Sequence, residues 1–154
     1  IALDASQPEQ VAEFFARGFE YTRRIDGAVN CVGSLLLKSA HLTNNEEWEA
    51  VIASNLTPAF FTVREATRLM TKHGGGSIVL VSSCAANIGL PNHEGIAAAK
   101  AGVNGLVISA AATYSRYKIR VNAVAPGLVR TPLTEKLVNN ESALQASTAL
   151  HPLG

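Results

Sequence analysis

The chain has 154 residues, of which 47% are hydrophobic, and its 13 basic and 12 acidic residues leave a net charge of +1. That length suits about one domain, and the apolar share supports a packed core rather than a disordered chain. No stripe of Lys and Arg is present and aromatics are only 6%, so nothing recommends nucleic acid or an anionic membrane as a partner.

Ile1 to Leu3 has the composition of a strand tail ending at Asp4. Ser6-Gln7-Pro8-Glu9 then reads as a helix start, with Ser6 as N-cap, Pro8 in the first turn and Glu9 three residues after the cap. Val11, Phe14, Phe15 and Phe19 follow at helical spacing and predict one apolar face. Gly27 to Val32 is a short apolar strand closed by Gly33, and Leu35 to Leu42 is loop-like.

Thr43-Asn44-Asn45-Glu46-Glu47 is a second capping signal. It opens a long helix from about residue 46 to 72, with Trp48, Val51, Ile52, Leu56, Phe60, Val63 and Leu69 on the buried side. Pro58 should bend this helix and free a carbonyl. Gly74-Gly75-Gly76 ends it, and Ile78 to Val81 forms the next strand.

That strand runs into Ser82 and Ser83. A loop broken by Gly89 and Pro91 leads to an Ala-rich helix from about residue 93 to 117, which carries Lys100. Ile119 to Ala125 is a further strand, ended by Pro126-Gly127, and two short helices broken near Asn139-Asn140 follow Thr131. No apolar run reaches the roughly 18 residues of a membrane helix, and no signal peptide is visible. Cys31 and Cys84 have neither metal-ligand spacing nor a disulfide framework. They read as small buried hydrophobes in a reducing cytoplasm.

The order of elements is (β)αβαβαβα, with Val/Ile/Ala-rich strands that do not alternate. This predicts an α/β fold: a Rossmann-like, doubly wound parallel sheet in three α/β/α layers. Ligands in such sheets bind at the carboxyl ends of the strands. Ser83 at a strand end and Lys100 on the next helix are therefore candidate site residues. The first residue is Ile and the last four are His-Pro-Leu-Gly, so residues 1–154 are expected to form one partial domain cut from a larger fold at both ends.

Several segments, in order and at matching spacing, resemble the short-chain dehydrogenase/reductase family. Val29-Asn30-Cys31-Val32-Gly33 is similar to its Asn-Asn-Ala-Gly turn, with Cys31 and Val32 as departures. Asn55 matches the family's helix asparagine, Ser83 its catalytic serine, and Ala99-Lys100-Ala101-Gly102 the segment holding its catalytic lysine. Val121 to Thr131 matches the segment whose Pro-Gly and Thr hold nicotinamide.

The resemblance implies NAD(P)-dependent hydride transfer to or from a carbonyl or alcohol carbon, with NAD or NADP as cofactor. Asn55, Ser83 and Lys100 would be catalytic. Asp4, Asn30, Gly33, Lys100, Pro126, Gly127, Val129 and Thr131 would bind cofactor, with no metal. It also implies a cytoplasmic homodimer or homotetramer assembled through helices 46–72 and 93–117, with Leu56, Phe60, Leu106 and Tyr114 as candidate interface residues.

Two departures stand out. The family's proton-donating tyrosine belongs four residues before the lysine, and residue 96 is Ile. His93, three residues earlier, is the nearest replacement on that helix face. The phosphate-binding Gly-rich βαβ portion is also absent: Gly74-Gly75-Gly76 follows a helix and precedes a strand, the reverse of the required order. An alternative is therefore a catalytically impaired dinucleotide-binding or assembly module of the same fold. A hydrolase built on Ser83 and His93 is disfavoured, because no Gly-x-Ser-x-Gly elbow surrounds Ser83. Loss of the first strands would leave Gly27–Val32 with an open apolar edge, to be paired by another chain or by more of the same chain.

Overall fold

A computed structural model describes residues 1–151. The elements in order are α1 (Pro8–Thr22), β1 (Gly27–Asn30), α2 (Asn45–Asn55), α3 (Thr57–Met70), β2 (Gly76–Val81), α4 (Glu94–Tyr114), β3 (Ile119–Val124), α5 (Glu135–Val138) and α6 (Glu141–Thr148). The three strands form one parallel sheet in the order β1-β2-β3. Asn30 lies opposite Leu80, and Val81 opposite Val124.

The expected α/β class is observed, and its core shows how the layers form. Ala28, Ile78, Leu80, Ile119 and Val121 pack in a single buried cluster with Val11 and Phe15 of α1, Val63 and Ala66 of α3 and Val103 of α4. Successive strand residues point to opposite faces, so these helices cover one face of the sheet. The alternate residues remain open: Val29 is 67% exposed and Val124 55%. Val29 also lies on β1's unpaired edge. There an apolar groove of about 420 Å³ runs between the strand and α1, lined by Leu3, Phe14, Phe15, Ile25 and Val29 among others. Residues 1–3 form no strand; Leu3 packs against the core and lines this groove instead.

Local chemistry explains the helix starts. Asn44 caps α2: its side chain accepts from the Glu47 N–H at 2.8 Å, while Glu47 accepts from the Asn44 N–H at 3.0 Å. Ser6 does not cap α1. The cap residue is Gln7, because the Asp4 carboxylate accepts from both the N–H and the hydroxyl of Ser6. That commits the serine to a turn before the helix.

The long helix predicted over 46–72 is two helices. Leu56 separates α2 from α3 and Pro58 sits in the first turn of α3, where its missing N–H costs least. Trp48 (45%) and Phe60 (48%), expected on the buried side, are exposed, while Val51 and Val63 are buried. Cys31 is also exposed rather than a buried hydrophobe, because β1 ends at Asn30.

Among the described residues one helical stretch, Glu94–Tyr117, is long and apolar enough to cross a membrane by length and composition. This corrects the expectation of no membrane-length apolar run: Gly, Asn and Ser interrupt the apolar residues without lowering the average much. Its Gly95, Ile96, Ala99, Lys100, Val103 and Ala110 are buried within the fold.

Candidate active site

The strands deliver their carboxyl ends to one edge, and the predicted residues collect there. β1 leads into Gly33 and Ser34, β2 into Ser82 and Ser83, and β3 into Pro126 and Gly127. Asn55 ends α2, and Lys100 lies two turns into α4.

Asn55 is 1% exposed. Its amide donates to the Val51 carbonyl at 3.0 Å and to Ser34 Oγ at 2.9 Å, and its Oδ1 accepts from the Ser34 N–H at 3.1 Å. These bonds hold the last residue of α2 against the loop after β1. Gly33 is where the site closes up. A Cβ there would lie 2.9 Å from Asn55 Oδ1 and 3.3 Å from Lys100 Nζ, so the loop, the asparagine and the lysine converge on space that only glycine leaves open.

Lys100 is 7% exposed. Its Nζ donates to the Val81 carbonyl at 2.9 Å, and no carboxylate among the described residues pairs with it. Burial therefore holds its ammonium below the usual lysine range. The Ser82 hydroxyl donates to the Lys100 backbone carbonyl at 3.1 Å and ties α4 to β2. Sequence reasoning assigned no role to Ser34 or Ser82, since a lone serine carries no spacing signal.

Ser83 Oγ accepts from the Ala85 N–H at 3.2 Å and caps the short 3-10 turn Cys84–Ala86. The same hydroxyl can still donate its proton outward. Pairing of β2 with β3 continues past the strands: the Ser82 N–H donates to Val124 O at 2.8 Å, and the Cys84 N–H to Pro126 O at 3.0 Å. Ser83 thus lies beside the Pro126-Gly127 turn.

The other predicted residues are less directly engaged. Asn30 spends both amide hydrogens inside the protein, on Pro58 O at 3.0 Å and Thr62 Oγ1 at 2.7 Å, and its Oδ1 accepts from the Val32 N–H. It braces the turn after β1. Asp4 is held by Ser6, whose hydrogen bonds lower its pKa. Thr131 pairs with Thr134, and the Val129 carbonyl accepts from Thr134. His93 is the cap residue of α4, with Nδ1 2.7 Å from the Pro91 carbonyl. Ile96 is 4% exposed and packs with Val51, Ala99, Leu36 and Ile52.

A family model described as enoyl-(acyl carrier protein) reductase matches residues 1–154. The chain belongs to the short-chain dehydrogenase/reductase family. It is 38% identical over 154 residues to the 3-oxoacyl-(acyl-carrier-protein) reductase FabG of Thermotoga maritima, covering 99% of this chain and 61% of that protein. It is 35% identical over 135 residues to the (3R)-3-hydroxyacyl-CoA dehydrogenase of Mus musculus, covering 87% of this chain and 51% of that one. Among solved structures, ElxO with NADP bound superposes with a TM-score of 0.89 at 29% identity, over 97% of this chain and 61% of that one. A short-chain type dehydrogenase/reductase from Mycobacterium ulcerans gives 0.88 at 26% identity, over 92% and 52%. The chain thus spans about half to three-fifths of these relatives.

Proposed function

We propose that this chain forms the catalytic portion of an NAD(P)-dependent oxidoreductase that interconverts a carbonyl and an alcohol. A 3-oxoacyl thioester is the first substrate class to test. The observation that carries the reading is the convergence of Gly33, Asn55 and Lys100 beside Ser83 at the strand ends.

These residues fit the nicotinamide-ribose end of a dinucleotide. Gly33 keeps open a space that a Cβ would fill, and the Lys100 ammonium has one protein acceptor for its three N–H groups. When bound, the cofactor supplies or accepts hydride. Lys100 would hold the ribose, and Pro126, Gly127 and Thr131 the nicotinamide. Ser83 would donate a hydrogen bond to the substrate oxygen, stabilising the charge that develops there. Asn55 would hold a water that links Lys100 to solvent. Asp4 and Val129 complete the proposed cofactor contacts, and Asn30 fixes the turn that presents Gly33.

Ile96 cannot supply a proton, a service typically contributing about 10²–10⁴-fold. This favours a second reading, a dinucleotide-binding or assembly module without turnover. Either form would assemble as a cytoplasmic homodimer or homotetramer through α2–α3 and α4, where Trp48, Phe60 and Ile108 are exposed.

The test uses the full-length protein with NADH and NADPH on a short-chain 3-oxoacyl thioester and a panel of ketones. Turnover that falls at least tenfold in Gly33→Ala, which crowds Asn55 and Lys100, supports the oxidoreductase. Binding without turnover supports the module, and absence of both sinks the two readings.

A further inference from the structure

Lys100 owes its place to an interruption of the sheet. The Ser77 N–H donates to Asp26 O, and Asn30 lies opposite Leu80. Carried on in that register, the next rung would join the Val32 N–H to the Val81 carbonyl. That rung does not form. The Val32 N–H donates instead to Asn30 Oδ1 at 3.0 Å, and the Val81 carbonyl takes the Lys100 ammonium at 2.9 Å. The amine therefore sits in the gap where β1 has ended and β2 runs on.

That gap opens toward Ser83. Pairing of β2 with β3 continues through Ser82 and Cys84, and Ser83 is itself extended. Val81 and Ser83 are thus two strand steps apart, about 7 Å. Two hydrogen bonds to one shared oxygen span about 6 Å. A carbonyl oxygen that accepts from Ser83 Oγ is within reach of a Lys100 N–H.

The ammonium has protons to offer. Of its three N–H groups, the Val81 carbonyl takes one, which leaves one for the ribose and one for the substrate oxygen. Ile96 packs against Val51, Leu36 and Ile52 and brings no polar atom to the site. Burial alone holds the Lys100 ammonium below the usual lysine range, which makes it a stronger acid. The charged groups on the elements packed against α4 are engaged elsewhere or exposed. On α2, Glu47 pairs with Lys38 while Glu46 and Glu49 are exposed; on α3, Glu65 pairs with Arg64 and Arg68; on β3, Arg120 is exposed. The turn after Ser83 adds one titratable side chain, Cys84.

We propose that Lys100 is itself the acid of this site: its ammonium gives the substrate oxygen a proton during carbonyl reduction, in place of the hydroxyl that Ile96 lacks. This rests on the oxidoreductase reading above. As the carbonyl carbon accepts hydride from the reduced nicotinamide, the π pair moves onto oxygen. The oxygen then forms an O–H bond with a Lys100 proton. The N–H bond breaks, and its electron pair stays on the neutral amine. Solvent restores the proton through the water at Asn55. Alcohol oxidation runs the same steps backwards, with the neutral amine as base.

The test is made on the full-length protein with NADPH and the best carbonyl substrate of the panel. Lys100→Arg keeps the charge and the N–H donors but does not release a proton. It is expected to lower kcat by about 10²-fold or more while leaving the NADPH dissociation constant within about threefold. Methylammonium should restore turnover to Lys100→Ala. Guanidinium, which has charge and donors but keeps its proton, should not. Independently of activity, the side-chain resonance of Lys100 in the NADPH complex should titrate at lower pH than those of the other lysines. Reduction should slow as pH rises through that same midpoint, in Cys84→Ser as in the unaltered protein. The proposal alone is overturned by undiminished kcat in Lys100→Arg, by failure of methylammonium or success of guanidinium in Lys100→Ala, by a Lys100 resonance that titrates with the other lysines, or by an inflection that Cys84→Ser removes. Absence of NADPH turnover in the unaltered protein would overturn the oxidoreductase reading and this proposal with it.

Discussion

At the scale of single residues, Lys100 shows what the site costs the fold. An ammonium buried without a carboxylate partner is disfavoured in the folded chain, and its pKa is lowered. Below that lowered value the penalty is fully in force. Between it and the ordinary lysine value near 10.4, the unfolded chain binds more protons than the folded one, so stability rises with pH. Lys100→Met should therefore raise Tm at pH 7 by a few degrees, on the order of 1 kcal/mol, and flatten the alkaline rise while abolishing turnover. A Tm unchanged or lowered, with the alkaline slope intact, would show that burial does not penalise this group. The positions of Ser83 and Lys100 were legible because strand end and helix spacing survive folding. The convergence on Gly33 was not legible: it depends on tertiary packing that brings Asn55 of α2 and Lys100 of α4 against the loop after β1.

Elements are governed by their caps. Asn44 and Glu47 satisfy each other's backbone donors, and Lys38 reinforces Glu47 with an ion pair at 2.7 Å that helps hold the carboxylate below its usual pKa. Since α2 carries Asn55, its start is coupled to the site by a single rigid helix. Asn44→Ala should cost about 1 kcal/mol, read as a fall in Tm of roughly 2–4 °C. An unchanged Tm would show that the box is not maintained in solution. This cap was readable from sequence because its partners lie three residues apart. The false cap at Ser6 had the same local pattern, but Asp4 competes for that serine. Likewise, hydrophobic spacing over 46–72 predicted one continuous face. The stretch is instead two helices meeting at Leu56, and Trp48 of α2 and Phe60 of α3, both placed on that face by spacing, lie at the surface.

The whole molecule presents two surfaces that a sheet normally covers. Val29 and Val124 lie on the face opposite α1, α3 and α4, and β1 has an unpaired edge beside an apolar groove. Such an edge is a template for pairing. Residues 1–154 on their own should therefore self-associate, and Val29→Lys should reduce that association. A well-ordered monomer by analytical ultracentrifugation would contradict this. The α/β class and the parallel sheet were legible from the βα alternation. The bare face was not, because Val-rich strands look alike whether one or both faces are covered.

The central claim, that the strand ends hold a nicotinamide dinucleotide, is tested most directly by titrating NADPH and NADH into the full-length protein and following cofactor fluorescence. Saturable binding of at least one cofactor, weakened tenfold or more by Gly33→Ala, is the predicted result. No saturable binding of either cofactor, or binding indifferent to Gly33→Ala, would contradict it.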